Sequence, residues 1–312
     1  PLLVEVGNDG DALQWYAPAP ADAVLLGSAA DKTKAHVRRM APQPVPVGAA
    51  TDLDGLAPVG MMQPDKSKPF GGAPHFWNWA TFEKWLQAPN DQTDTEPSAL
   101  GHGGPTRESR VHVTIQADKQ TAAEGRLFQT KGMEFTRTED GDWGTARTLG
   151  IALTVESTLA AVSADFPAGY ATLGGERRLV RWQKRSDRLP ACPKEVRAAV
   201  IAHKACRVLL LTPAVFEAGD RPAALLTIAP GVQAAIVGMA VPRAQVVSGW
   251  DYAASKTVNG KIKYGRPKAT RRLAPAGSVY FLKLQGTDAA IGAFVDRVWM
   301  QCVSDGIQGS DI

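Results

Sequence analysis

Prolines in the first part of the chain restrict its secondary structure more than any other feature. Residues 17–75 are rich in Pro, Gly and Ala, with the densest runs at Ala17-Pro18-Ala19-Pro20 and Pro42-Gln43-Pro44-Val45-Pro46. Proline donates no backbone hydrogen bond and fixes φ at about −65°, so neither run can form a regular helix. We predict that residues 17–75 are extended, irregular chain lying over a neighbouring surface.

Size and composition narrow the class of protein. A chain of 312 residues is long enough for two domains. Its 44% hydrophobic and 21% charged residues are ordinary for a globular protein, and no apolar run is long enough to predict a membrane span. The net charge of +4 is small, so the distribution of charge matters more than its sum.

The cysteines point to a reducing environment. Cys192, Cys206 and Cys302 are an odd number without paired spacing, which argues against a disulfide framework and indicates a cytoplasmic protein. Neither Cys-x-x-Cys nor His-x-x-x-His occurs in the sequence. We therefore expect no structural zinc, and no other metal or organic cofactor.

The pattern along the chain begins with one helix and a loop. Residues 81–86 predict a short amphipathic helix, and with Trp77, Trp79 and Trp85 it is strongly aromatic. We interpret these rings as a core anchor rather than a ligand site. Residues 88–108 are polar and rich in Gly and Pro, which predicts a loop.

Strand signals then follow in two cycles. In the first cycle, residues 110–115 alternate polar and apolar side chains, which indicates a strand. The remaining predictions of this cycle are a hairpin from residues 127–130 and 133–135, an interior strand at 149–155, a helix from about Ser157, and a Gly-rich turn at 171–178. In the second cycle we predict strands at 205–211, 232–247 and 278–284, and an amphipathic helix at 288–303.

The repeated order of elements predicts the fold class. Strand, long excursion, strand, helix and Gly-rich turn occur twice, which is typical of an α+β protein with two ferredoxin-like (RRM-like) domains in tandem, carrying long inserted loops and hairpins. We place the first domain at residues 1–187 and the second at 188–312. The two halves share no close sequence repeat, so the duplication is inferred from element order.

Several segments resemble the RAMP superfamily of CRISPR proteins and, within it, the third subunit of the type III-B Cmr effector complex. The resemblance is carried by residues 16–22, 110–115 with 121–128, the glycine-rich segment 173–178, 248–251 and 269–281. Their order and spacing together are more specific than any one of them. The first strand segment makes Arg110 and His112 candidate RNA-binding residues.

The resemblance also sets expectations about the ends of the chain. The family's opening strand and helix should precede Tyr16, and its second glycine-rich loop and last strand should follow the last helix. Only Gly306-Ile307-Gln308-Gly309 stands in the second place. We therefore expect the first domain to lack its start and the second to lack its last strand.

The glycine-rich segment suits a contact with the phosphate backbone. Gly174 and Gly175 allow close approach of the main chain to a ligand. Arginine can pair with phosphate through two parallel hydrogen bonds, and Trp182 offers a face for a stacked base. The candidates here are Gly174, Gly175, Arg177, Arg178, Arg181 and Trp182. On residues alone, a tight turn with solvated arginines is an equal alternative, and the resemblance favours RNA.

The densest basic stretch runs from Lys256 to Arg272 and contains no acidic residue. Asn259-Gly260 within it is a strong hairpin signal, and Tyr252 and Tyr264 accompany the charges. We interpret it as a basic hairpin that tracks RNA or an RNA-lined cleft of a partner, a solvated loop being the alternative. Its candidate residues are Lys256, Lys261, Lys263, Arg266, Lys268, Arg271 and Arg272.

The histidines and isolated aspartates carry weaker signals. RAMP endoribonucleases that process guide RNA use a histidine as general acid or base, which makes all five histidines nominal candidates: His36, His75, His102, His112 and His203. A structural or surface role is the simpler interpretation of each. Asp22 and Asp251 fit turn capping.

The resemblance implies a non-catalytic scaffold that binds the 5′ handle of the guide RNA (crRNA). It also implies contacts with the large polymerase-like subunit and with a backbone RAMP subunit, while other subunits cleave the target RNA. One alternative is a RAMP-type endoribonuclease that processes guide RNA. Another is a protein-binding wedge whose interface is the Pro-rich, aromatic first hundred residues.

Overall fold

The computed structural model describes residues 1–7, 12–28, 31, 33–139, 141–155, 168–174, 178–258 and 261–305. Within them the fold is mixed and rich in strands, in agreement with the predicted α+β class. The tandem ferredoxin-like arrangement stays a prediction. The helices are α1 Trp79–Gln87, α2 Pro97–Leu100, α3 Lys194–His203, α4 Ala223–Leu226 and α5 Asp288–Val298. None of them is long and apolar enough to cross a bilayer.

The strands are joined by connections that range from one residue to long segments. In the first part of the chain they are β1 Leu2–Val6, β2 Leu13–Pro18, β3 Ala23–Gly27, β4 Ala35–Pro42, β5 Val59–Met61, β6 Phe76–Asn78, β7 Gln92–Thr95, β8 Gly101–His102, β9 Thr106–Ile115, β10 Ala122–Glu134, β11 Thr136–Glu139 and β12 Asp142–Ala152. The remainder are β13 Gly169–Leu173, β14 Arg178–Trp182, β15 Ala205–Leu209, β16 Gln233–Ala240, β17 Gln245–Val247, β18 Trp250–Val258, β19 Lys261–Pro267, β20 Arg271–Leu273 and β21 Val279–Gln285.

The chain divides into two compact units, each built from two segments. The first unit comprises Pro1–Tyr16 and Gly103–Pro190, and the second comprises Ala17–His102 and Ala191–Ile312. The chain therefore passes from the first unit to the second within β2 and returns after β8. The predicted boundary between residues 187 and 188 stays a prediction.

The first unit contains antiparallel strands and two hairpins. Strand β1 pairs with β12 on one side and with β2 on the other, and β11 pairs with β12. Leu2, Leu3, Val4 and Leu149 are buried here. The hairpins β9–β10 and β13–β14 are each two-stranded, so most of their side chains have no sheet neighbour beyond the partner strand.

The second unit contains two apolar clusters. One lies around the sheet β15-β21-β16, where Tyr280 and Leu282 of β21 pack with Ile291 and Phe294 of α5. The apolar residues of α5 recur at helical spacing, so one face of the helix is buried. The other cluster contains Trp77, Phe82 and Trp85 with residues of β3 and β4.

The aromatic helix anchors this second cluster, as predicted. Asn78 caps α1, its side-chain oxygen accepting from the amide of Thr81 at 2.9 Å. Trp77, Phe82 and Trp85 are each almost fully buried. Trp77 and Trp85 meet edge to face, with ring centroids 5.7 Å apart. These rings therefore belong to the core and not to a ligand site.

A buried ion pair accompanies the rings. Asp22 is fully buried and accepts from the indole nitrogen of Trp85 at 2.9 Å through Oδ1 and from the guanidinium of Arg207 through Oδ2. The same guanidinium donates to the backbone oxygens of Trp85 at 2.6 Å and of Leu86 at 3.1 Å. The side chain of Asp22 thus ties β15 to α1, which corrects the turn-capping role expected for it.

Two segments that were predicted to be irregular contain regular secondary structure. Residues 17–75 are irregular over most of their described length, but they also contain the whole of β3, β4 and β5, and Pro18 and Pro42 are the last residues of β2 and β4. A proline at a strand end breaks no central hydrogen bond. The predicted loop at 88–108 contains β7, α2 and β8.

Two strand predictions also need correction. Residues 127–130 and 133–135 do not pair with each other, because residues up to Glu134 form one strand, β10, which pairs with β9. The stretch 149–155 is not buried on both faces, since Ile151 is 54% exposed. The helix expected from Ser157 lies outside the described residues. The other predicted strands at 205–211, 232–247 and 278–284, and the helix from residue 288, are confirmed.

Two cysteines of the second unit, Cys206 and Cys302, should differ in their rate of alkylation. Cys206 is partly buried against the β21 core, and desolvation there raises its thiol pKa to about 12, whereas Cys302 is exposed. Because the thiolate is the reactive form, we expect iodoacetamide at pH 8 to modify Cys302 at least about a hundredfold faster than Cys206. Peptide mass spectrometry measures both rates, and urea should remove the difference. Equal rates in the folded protein would contradict the burial of Cys206.

Candidate nucleic-acid interface

The β9–β10 hairpin has two chemically different faces. Its register places Glu108 opposite Gly132, Arg110 opposite Thr130, and His112 opposite Phe128. Directly opposed residues of an antiparallel pair point to the same side, and alternate residues along a strand share a face. We call this side, with Glu108, Arg110, His112, Phe128 and Thr130, the polar face.

His112 is fixed on the polar face. Its Nε2 lies 2.9 Å from Thr130 Oγ1, and its ring stacks on Phe128 with centroids 5.1 Å apart and planes 15° apart. Phe128 remains 53% exposed. The pair therefore presents an aromatic surface of the kind on which an unpaired base can stack. Phe128 was missed as a candidate, although it lies in a segment that carries the resemblance.

An ion-pair cluster joins the two hairpins of the first unit. Glu108 accepts from Arg110 Nε through Oε1, and its Oε2 lies 2.9 Å from Arg178 Nη2. The hydrogen bond from Arg110 and then that from Arg178 lower the pKa of Glu108. The Arg178 guanidinium lies against Gly132, where a Cβ atom would collide with it. The sequence could not pair these arginines, since Arg110 and Arg178 stand in separate segments.

The predicted residues of β14 divide between its two faces. Arg178, Val180 and Trp182 alternate with Leu179 and Arg181 and are half-buried, whereas Leu179 and Arg181 are exposed. Arg181 lies opposite Tyr170 of β13, which is 74% exposed. Arg181 therefore shares a face with Tyr170, a ring that the sequence analysis did not select, and Trp182 shares a face with Arg178.

The turn between β13 and β14 is described only at its first residue. Gly174 has φ +79°, and a Cβ atom there would meet nothing within 4 Å. The conformation alone therefore explains the glycine, since other residues adopt positive φ only at a cost. Gly175 and Arg177 lie outside the described residues.

The basic stretch forms the predicted hairpin. Strands β18 and β19 pair antiparallel, with Lys256 opposite Lys263 and Val258 opposite Lys261. The side chains of these three lysines lie outside the described part of the structure. Arg266 is opposite Asp251, and its Nε lies 3.6 Å from Asp251 Oδ2. The fold thus brings a carboxylate beside a stretch that has none in its own sequence.

Three further basic residues lie outside this pairing. Lys268 follows β19, and its amide donates to the Gly249 carbonyl at 2.8 Å. Arg271 and Arg272 belong to β20, opposite Val247 and Val246 of β17. The basic candidates of the second unit therefore occupy the β18–β19 hairpin, the residue after it and strand β20, whose partner β17 precedes the hairpin.

Asp251 has a local structural role, and the described residues offer no group that could bind a metal. Asp251 Oδ1 accepts from the amides of Ala253 and Ala254 at 3.1 Å, which is local capping of the kind predicted. Within the described ranges, no three His, Cys, Asp or Glu side chains are grouped so that they could hold a metal ion.

Comparison with known proteins identifies the family. The family model described as CRISPR-associated protein (Cas_Cmr3) matches residues 1–305, which is nearly the whole sequence and covers every described element. No curated protein matches the chain. The match includes both units and both groups of basic candidates, and it agrees with the resemblance carried by the strand and glycine-rich segments. The chain therefore belongs to the Cmr3 family of CRISPR-associated proteins, the third subunit of the type III-B Cmr complex.

Proposed function

We propose that this subunit is a non-catalytic scaffold that binds the 5′ handle of the guide RNA and joins the large polymerase-like subunit to a backbone RAMP subunit. Target RNA would be reached only through the guide, and cleavage would be done elsewhere in a cytoplasmic ribonucleoprotein. The observation that carries the RNA-binding part is the polar face of the β9–β10 hairpin, where Arg110 and a stacked aromatic pair lie on one side and the guanidinium of Arg178 reaches them from β14.

The polar face combines two ways of holding a single strand. Guanidinium groups suit phosphate oxygens because their N–H donors match the geometry of the anion. The His112–Phe128 stack offers a π surface that accepts any base. Glu108 lowers the local charge but holds Arg110 and Arg178 in place, so their side chains lose less freedom when a phosphate binds.

The arrangement of His112 favours a binding role over a catalytic one. A general acid or base needs a proton-transfer route to the reacting group. Here Nε2 lies beside a threonine hydroxyl and the ring is stacked, which positions the imidazole as part of a surface. Endoribonuclease activity remains the alternative that the experiment below must reject.

The RNA test replaces both arginines of the cluster. We expect R110Q R178Q to flatten the salt dependence of binding to a handle RNA by about 0.7 in log affinity against log salt, because Glu108 offsets one of the two guanidinium charges and about one net phosphate contact is lost. At 0.1 M salt this corresponds to binding weaker by roughly fivefold. Fluorescence anisotropy over a salt series measures both quantities on the full chain.

The matched control is R185Q R188Q. Both arginines belong to the same unit, and Arg185 pairs with Asp187 at 2.8 Å, so this variant also removes two arginines that stand beside one carboxylate, and we expect affinity within twofold of wild type. An unchanged slope in R110Q R178Q would reject the polar face as the RNA site. Metal-independent cutting of repeat RNA by wild type, lost in H112A, would instead establish the endoribonuclease.

A further inference from the structure

The second face of the β9–β10 hairpin is apolar and exposed. Five apolar side chains alternate with the polar face, on the side opposite to it: Val111, Val113, Ile115, Leu127 and Met133. Leu127 lies directly opposite Val113, and the two are 70% and 42% exposed. Val111 and Ile115 flank them at 64% and 55%. We call this side the apolar face.

The apolar face of the hairpin is more exposed than its polar face. On the polar face, Glu108, His112, Thr130 and Gly132 are half-buried, and the guanidinium of Arg178 lies against the strand. On the apolar face every residue of the paired rows is exposed. The hairpin thus leaves its hydrophobic side to solvent and covers part of its polar side. Val111, Val113, Leu127 and Ile115 form one contiguous patch, and the hydrogen-bonded Gln129 and Ser109 lie at its edge, before Met133. A contiguous exposed apolar patch with a polar edge is typical of an interaction site.

The chemistry of the face selects a protein over RNA. Its centre is aliphatic, and the paired rows carry no aromatic ring on that side, so it lacks the flat surface that stacks bases. Aliphatic side chains exclude water efficiently against other aliphatic side chains, as in the centre of protein interfaces.

The charges at one end specify the partner further. Arg107 lies opposite Met133, and Lys131 lies opposite Ser109. Both cations are on the apolar face by alternation, and its paired rows hold no carboxylate. A complementary surface would therefore carry aliphatic residues flanked by Asp or Glu, since opposite charges at the edge steer and orient docking.

We infer that the apolar face of the β9–β10 hairpin is a docking surface for one neighbouring protein subunit of the complex, with an aliphatic strip edged by carboxylates. The hairpin would then act as a two-sided element, with guide RNA on the polar face and protein on the apolar face. The inference rests on the proposed joining role, but it does not depend on the RNA contacts of the polar face.

The first test keeps the hairpin intact and removes only its hydrophobicity. V113T L127T retains residues that fit a strand, and R107E K131E reverses the edge charges. Each variant is titrated into a purified Cmr complex assembled without this subunit, and native mass spectrometry measures incorporation. We expect both variants to bind at least tenfold more weakly than wild type. L173T L179T, which changes two equally exposed leucines on β13 and β14, should bind as wild type.

The remaining measurements separate the alternatives. We expect V113T L127T, which leaves the charge unchanged, to bind handle RNA within twofold of wild type, which distinguishes failure of this inference from failure of the proposed RNA site. Incorporation equal to that of L173T L179T would overturn the inference. An RNA affinity that falls together with assembly would assign the face to RNA. Sedimentation showing a wild-type dimer that V113T L127T dissociates would assign it to a second copy, and would equally overturn it.

Discussion

R207M is expected to lower the free energy of unfolding of the second unit by about 3–5 kcal/mol, because it leaves a buried carboxylate without its counter-ion. Asp22 is fully buried. Without Arg207 it loses its charged partner, and among the described residues the 2.9 Å hydrogen bond from the Trp85 indole is what remains to its side chain. The backbone oxygens of Trp85 and Leu86 lose their donor in the same step.

The control for R207M is an exposed ion pair of the same unit. Arg221 lies 3.1 Å from Asp54, whose side chain is 81% exposed, so R221M should change the unfolding free energy by no more than about 0.5 kcal/mol. Differential scanning calorimetry compares the two variants with wild type. Equal melting temperatures for R207M and R221M would show that the Asp22–Arg207 pair contributes no more than a surface contact.

A second substitution tests the cause of the loss. In D22N R207M the buried charge is gone as well, so we expect part of the stability lost in R207M to return. If the double variant is as unstable as the sum of the single variants, the loss arises from packing around the guanidinium and not from the unpaired carboxylate.

Local signals in the sequence were sufficient for elements that depend on neighbours in the chain. The aromatic spacing of residues 81–86 predicted α1, and the Asn259-Gly260 signal predicted the pairing of β18 with β19. The apolar stripe of α5 follows from helical periodicity in the same way. Each of these elements closes within a few residues, so its pattern is complete in one short window.

Contacts between distant segments could not be predicted from the sequence. Strand β1 pairs with β12, with Leu2 opposite Ala152, and nothing in either segment specifies the other. The ion pairs Glu108–Arg178 and Asp22–Arg207 likewise join residues that are far apart in the sequence. Asp22 was assigned a local role because its partners, Trp85 and Arg207, are far along the chain.

Apolar patterns predicted burial without identifying what buries them. The stretch at 149–155 was interpreted as interior, yet Ile151 is exposed, and the apolar residues of β9 are exposed as well. A side chain destined for a protein interface has the same composition as one in a core. The candidate RNA site shows the same limit, since Tyr170 became visible only when the β13–β14 register placed it opposite Arg181.

The basic hairpin of the second unit should dominate the salt dependence of RNA binding. The variant K261Q K263Q R266Q K268Q removes four positive charges from β19 and the residue after it. Asp251 already accompanies Arg266 at 3.6 Å, so we count three net phosphate contacts. At roughly 0.7 per contact, the slope of log affinity against log salt should fall by about 2, which weakens binding roughly a hundredfold at 0.1 M salt.

The matched control is K66Q K68Q K84Q K194Q, which removes the same number of charges from exposed lysines of the same unit. A general loss of positive charge would weaken both variants alike, whereas a contact made by the hairpin would flatten the slope only in the first. If the hairpin instead meets a protein partner, RNA affinity should hold while incorporation into the complex fails. If both affinity and incorporation are unchanged, the hairpin is a solvated loop. The single variants R266Q and K263Q test the role of Asp251. Because Asp251 offsets the charge of Arg266, R266Q should lower the slope of log affinity against log salt less than K263Q does. The reverse order would show that Asp251 turns away from Arg266 when RNA binds.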